Sequence, residues 1–232
     1  MTDSSTPRFG RMFRTLIAAG IAATIAVGGA AAGTAQDSAR SSISAVPVIN
    51  ADGLQIGIVS ASEFDGAVTF TLNASTLTPG EHGVHIHETG ICDPAGDTVF
   101  GSAGGHFNPA GAMHGPGSAI ITPLVQEPEE GAATPVAEEA APASPVANAE
   151  SHAGDLGNIV VDENGRVAVE ITTSSVTLLP GSDNSLADAD GSALVIHAGA
   201  DDLHTDPSGE SGDRVACTVL FPPADAAATP VS

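Results

Sequence analysis

Six of the eight histidines fall in a pattern that can assemble two metal ions: His85-Ile86-His87, then His106, His114, His152 with Asp155, and finally His197. Little else in the chain bears chemistry. Lys, Tyr and Trp are absent, and there are only two Cys and six Arg. With so few catalytic side chains and so many imidazoles, the composition points to chemistry done with a metal.

Each part of the pattern has a bland alternative. On a β-strand, residues i and i+2 face the same way, so His85 and His87 can converge on one ion without bending the backbone. Taken alone they are equally well a pair of surface histidines. His106, His114, His152 and Asp155 offer three nitrogens and a carboxylate, a closed tetrahedral set of the kind zinc prefers. Such long-range ligands would tie a loop down, making binding energy partly folding energy. The alternative is a solvated Gly-rich loop. His197 ends the apolar run Ala193–Ile196, where a lone histidine is usually packed.

The elements that must position these residues read as short strands. Val68, Phe70 and Leu72 alternate with Thr69, Thr71 and Asn73, and Val167, Val169 and Ile171 repeat the pattern. This is the two-residue period of a half-buried strand. Glu163-Asn164-Gly165 between two such runs predicts a hairpin turn. Further strands are expected at 43–50, 55–61, 82–89, 193–199 and 214–220, with no amphipathic helix. About eight strands in one domain predict an all-β, eight-stranded antiparallel barrel or sandwich with long metal-binding loops. Residues 89–117, dense in Gly, Pro, Asp and His, form one such loop. Residues 119–150, mostly Ala, Pro, Glu and Val, are expected to be a disordered insertion. Residues 36–42 read as a linker and 222–232 as a disordered tail.

The N-terminus carries Arg8, Arg11 and Arg14, then an apolar run from Leu16 to Val27 and an Ala/Gly-rich stretch. Residues 1–35 therefore read as an export signal, with Ala30-Ala31-Ala32 or Gly33-Thr34-Ala35 suited to cleavage. An uncleaved membrane anchor is the other reading. Export to the periplasm, the cell envelope or the medium favours pairing of the only cysteines, Cys92 and Cys217. A formal net charge of -22 over 232 residues argues against nucleic acid and anionic membranes as partners.

Five segments carry a family resemblance. Gly80-Glu81-His82-Gly83-Val84-His85-Ile86-His87-Glu88 resembles the copper-binding strand of copper–zinc superoxide dismutases. Gly105-His106-Phe107-Asn108-Pro109 resembles their zinc loop, and His152-Ala153-Gly154-Asp155-Leu156-Gly157-Asn158 their HxGDLGN segment. Val195-Ile196-His197 with Ala200-Asp201-Asp202-Leu203 resembles the last copper ligand and the loop after it. Gly212-Asp213-Arg214-Val215-Ala216-Cys217 resembles the closing Arg and Cys. The likeness covers residues 43–221.

The resemblance implies a Greek-key barrel that dismutes superoxide by Cu(II)/Cu(I) cycling. It assigns copper to His85, His87, His106 and His197, and zinc to His106, His114, His152 and Asp155, with His106 shared as the bridge. Asp201 is implied to fix one histidine on each side, Arg214 to hold the substrate anion, and Cys92–Cys217 to pin the loop. His82 is implied to be structural, which leaves only His204 without a role. This chain departs from the family in two places. Residues 198–213 hold no Lys or Arg but carry Asp201, Asp202, Asp206, Glu210 and Asp213, so attraction of superoxide is expected to be weak. The insertion between His114 and His152 splits the zinc ligands and is expected to loop out, since doubling a loop costs only ~0.6 kcal/mol. A non-catalytic copper-binding module on the same fold is the alternative function. The sequence leaves the oligomeric state open, a homodimer included.

Overall fold

The computed structural model describes residues 41–124 and 151–226. The expected export segment 1–35 and most of the expected insertion and tail lie outside these residues. Nine strands form one sheet: β1 Ser41–Asn50, β2 Gln55–Phe64, β3 Ala67–Ala74, β4 Gly80–His87, β5 Ile120–Pro123, β6 Asp155–Val161, β7 Val167–Thr173, β8 Ser192–His197 and β9 Arg214–Phe221. A short 3-10 turn lies at Gly101–Ala103.

The strand order is β5-β7-β3-β2-β1-β9-β8-β4-β6, with every ladder antiparallel. The two end strands approach each other and nearly close the barrel. Two expectations are corrected. A ninth strand, β5, lies at the start of the stretch expected to be disordered, and it pairs with β7 from Ile120↔Thr172 to Pro123↔Val169. Similarly, β1 begins at Ser41, inside the expected linker.

The turn at 162–166 forms as expected. Asp162 Oδ1 accepts the Asn164 and Arg166 N–H groups, and Gly165 takes a φ of +73°, a left-handed value open to glycine. Yet β6 and β7 on either side share no ladder. They stand near opposite ends of the strand order, so the turn spans the seam of the barrel instead of closing a hairpin.

Burial follows from the pleat. In β3 and β7 every second residue is buried, including Val68, Phe70, Leu72, Val169 and Ile171. In β4 residues His82–His87 are all buried, as is the whole of β8. Val84, Ile86, Leu194 and Ile196 enter the main core. Residues of opposite parity face outward under the loops: Ala193, Val195 and Cys217 pack with Phe100 in a second cluster, and His85, His87 and His197 share that parity. The sheet therefore offers a buried face outside the barrel, and the histidines stand on it. The pairing of Cys92 with Cys217, Cα–Cα 5.8 Å, ties the long loop to β9 beside that face.

Candidate metal centre

Register places the first ligands. In β4, His85 lies opposite Asp155 of β6 and Val195 of β8, and His87 lies opposite Ala193. His106 forms an isolated bridge with His87, and the Phe107 N–H donates to Ile86 O at 2.8 Å. The loop thus re-enters as a short pseudo-strand against β4.

All seven expected ligands are brought together. His85, His87, His106 and His197 form one buried group, and His106, His114, His152 and Asp155 a second, each with ligand atoms within 4.8 Å of one another. His106 belongs to both.

In the first group each ring has one nitrogen engaged and one free. His85 Nε2 lies 2.7 Å from Asp201 Oδ2, and His106 Nδ1 lies 2.8 Å from Asp155 Oδ1. The carbonyls of Gly104 and Gly212 accept from Nδ1 of His87 and His197 at 3.0 Å and 3.1 Å. The remaining nitrogens (His85 Nδ1, and Nε2 of His87, His106 and His197) are buried and have no hydrogen-bond partner. A buried polar atom left unpaired is costly, and four in one place suit a cation that accepts lone pairs. Four imidazoles match the donor set and tetragonal preference of Cu(II).

The second group is drawn around one carboxylate oxygen. Asp155 Oδ1 lies 2.8 Å from His106 Nδ1 and 3.2 Å from both His114 Nδ1 and His152 Nδ1, and the His106 and His152 nitrogens are 3.3 Å apart. The His114 contact falls outside hydrogen-bond geometry. Four ligand atoms around a zinc ion at ~2.0–2.1 Å would sit roughly 3.3 Å from one another, so the set fits zinc closely. Asp155 Oδ2 is fixed by the N–H groups of Gly115 and His152.

Asp201 joins the groups, with Oδ2 on His85 Nε2 and Oδ1 on His114 Nε2 at 2.8 Å. Asn158, quoted in the sequence motif but given no role there, clamps the Asp201 main chain at both ends. Its Oδ1 accepts the Asp201 N–H at 2.7 Å and its Nδ2 donates to Asp201 O at 2.9 Å. Gly209, at φ +63°, packs so tightly on the Asp201 carboxylate and His114 Nε2 that any side chain there would collide with both. His82 is structural as expected, with Nδ1 2.6 Å from His197 O and Nε2 2.7 Å from Thr78 O. His204 is exposed in the loop. Arg214 donates from Nη1 to Phe100 O and from Nη2 to Gly104 O, both at 2.6 Å.

At His87, His106 and His197 the electrostatics favour the neutral ring, and at Asp155 and Asp201 the ionised carboxylate, the forms that bind metals. Burial, then the nearby His106 and Arg214, push His87 well below the usual histidine range. Burial lowers His106 to about 4 and, with His85 close by, His197 to about 3. Burial alone would raise Asp201, but hydrogen bonds from His85, His114 and the Leu203 N–H outweigh it and hold the carboxyl at about 2. For Asp155 the same contest, won by the His106 hydrogen bond with the nearby His114 ring and the Gly115 N–H, also ends below the ordinary value.

The model of the copper/zinc superoxide dismutase family matches residues 55–220. The chain belongs to that family. It is 39% identical over 174 residues to a copper–zinc superoxide dismutase of Aquifex aeolicus, covering 75% of this chain and 83% of the relative. Identity to the copper–zinc superoxide dismutase of Caulobacter vibrioides is 36%, over 76% and 85% of the two chains. Among solved structures, a double mutant of a superoxide dismutase-like protein from Bacillus subtilis aligns with a TM-score of 0.59 at 34% identity, covering 76% of this chain and 96% of that one. Copper and zinc are the metals of the family, and both buried groups have the chemistry to take them.

Proposed function

We propose that the protein dismutes superoxide, converting two anions and two protons into oxygen and hydrogen peroxide. In this reading His85, His87, His106 and His197 hold copper, and His106, His114, His152 and Asp155 hold zinc. The observation that carries it is the set of four buried, unpartnered ring nitrogens.

Copper held by these nitrogens would supply the one-electron redox chemistry that dismutation needs, through its Cu(II) and Cu(I) states. The protein's own residues do the rest. Arg214 is braced by Phe100 O and Gly104 O, which leaves three of its five N–H groups to hold an anion by charge-assisted bonds. Such a preorganised cation stabilises developing negative charge without reorganising. His106 turns Nδ1 to the zinc group and has Nε2 free for the copper group. Both nitrogens can serve as ligands only when the ring has lost its proton, so a proton taken up at Nε2 is the local source for the peroxide. Asp201 and Asn158 hold the rings in register throughout.

The disulfide fits a protein working outside the cytoplasm, and residues 1–35 are read as the signal or anchor that takes it there. A purely copper-buffering role has no specific feature in its favour: Arg214 and Asp201 are both present and tied into the site.

The test is superoxide decay by protein reconstituted with copper and zinc, beside His106→Ala. Decay far above the free-copper background is expected for the wild type, with the variant at background. Equal decay in the two at that background overturns the reading.

A further inference from the structure

The loop that follows β8 grips the zinc side of the centre at a second point. The His114 N–H donates to Asp206 Oδ1 at 2.6 Å. The two residues are 92 apart in sequence, and Asp206 stands outside both ligand groups. His114 is thus held twice by one loop, at its ring by Asp201 and at its main chain by Asp206.

The Asp206 carboxylate is presented by a folded turn. Asp202 Oδ1 accepts the N–H groups of His204 and Thr205 at 2.8 Å, and Asp202 Oδ2 accepts the Thr205 hydroxyl at 2.6 Å. These bonds hold the Asp202 carboxyl below its ordinary range, the Thr205 hydroxyl contributing most. On the other flank the Gly209 N–H donates to Thr205 O at 2.7 Å, and the Asp202 N–H donates to Gly209 O at 2.8 Å. Asp206 lies on this bonded turn, exposed to solvent, and its acceptor oxygen is aimed at one backbone group of a zinc-side histidine.

We infer that Asp206 is a positioning residue for the zinc ligand His114, fixing its backbone so that Nδ1 stays directed at Asp155. The inference rests on the reading of His114 as a zinc ligand. It assigns opposite effects to the two properties of one side chain. As an acceptor, Asp206 holds zinc in place. As a negative charge in the only loop between the last copper-side histidine and Arg214, it opposes the approach of superoxide.

Two variants separate these properties. Asp206→Asn keeps an oxygen acceptor and removes the charge; Asp206→Ala removes both. Zinc release from the copper- and zinc-loaded protein is followed with a chromophoric chelator, and the ligand field is read from the visible spectrum of cobalt placed in the zinc group. Loss of a group that orients a ligand typically weakens metal binding about 10–100-fold. Asp206→Ala is therefore expected to release zinc at least about tenfold faster and to shift the cobalt bands, while Asp206→Asn stays within about threefold of the wild type and keeps its spectrum. Wild-type zinc release and cobalt bands in Asp206→Ala overturn the inference alone. So does equal zinc loss in both variants, which would assign the effect to charge. A wild type that takes up no zinc overturns the ligand reading of His114, and this inference with it.

Discussion

The two ligand groups share a histidine but are built from opposite materials. His85, His87 and His197 stand on β4 and β8, strands whose both faces are buried. His114 and His152 stand in loops, and Asp155 is the first residue of β6. On the strand side, four ring nitrogens face one another unpartnered. On the loop side, the ligands are already drawn around Asp155 Oδ1. The difference teaches that the barrel builds one site and the other site builds the loops. The strand-side geometry is inherited from strand register, whereas the loop-side geometry depends on how the loops are held, and zinc bound there would add order to them.

Selective metal removal is the strongest way to break that contrast. Withdrawing zinc alone from the loaded protein is expected to lower the thermal midpoint by about 10 °C or more, since binding at loop ligands is folding energy. Withdrawing copper alone should cost clearly less. Calorimetry giving equal losses would show that both sites depend on the loops alike.

Acidification of the metal-free protein comes next. The folded values of about 4 for His106 and about 3 for His197 lie below the ordinary 6.5. Between these limits the unfolded chain binds more protons, so the stability is intact above about pH 6.5 and lost as the pH falls through 6 and 5. On the order of 2 kcal/mol per ring is expected to be lost between pH 7 and pH 5 by denaturant titration. An unchanged midpoint would mean that the strand-side rings are not desolvated as described.

Salt is the smallest lever. With five acidic residues and no Lys or Arg in 198–213, the rate constant for superoxide decay should stay flat or rise within about twofold as ionic strength increases, because salt screens repulsion as well as attraction. A steep fall with salt would reveal a positive funnel around Arg214.

The strand side of the contrast was legible in the sequence because strands write their geometry in residue spacing. His-x-His, alternation in β3 and β7, and the apolar run of β8 each state a face. β5 was not legible. It is four residues long, ends in Pro123 and adjoins a Pro/Ala/Glu-rich stretch, so its only support is the ladder to β7. Nor was the separation of β6 from β7, since a tight turn looks the same whether its arms pair or span a seam. The roles of Asn158 and Asp206 are not legible for a different reason: both act on main-chain groups of residues 43 and 92 positions away. A side chain that binds a peptide group leaves no complementary residue type in the sequence to betray it.

Asp201 has one further consequence. Its two oxygens fall on opposite sides of the centre, one on His85 and one on His114. A shift of either imidazole on metal binding changes the hydrogen bond offered to the other. Free energy is a state function, so any such coupling is reciprocal: if zinc raises the affinity for copper by some factor, copper raises the affinity for zinc by that same factor. One carboxylate thereby links the two groups, so that whatever zinc does to copper affinity through this contact, copper does equally to zinc affinity.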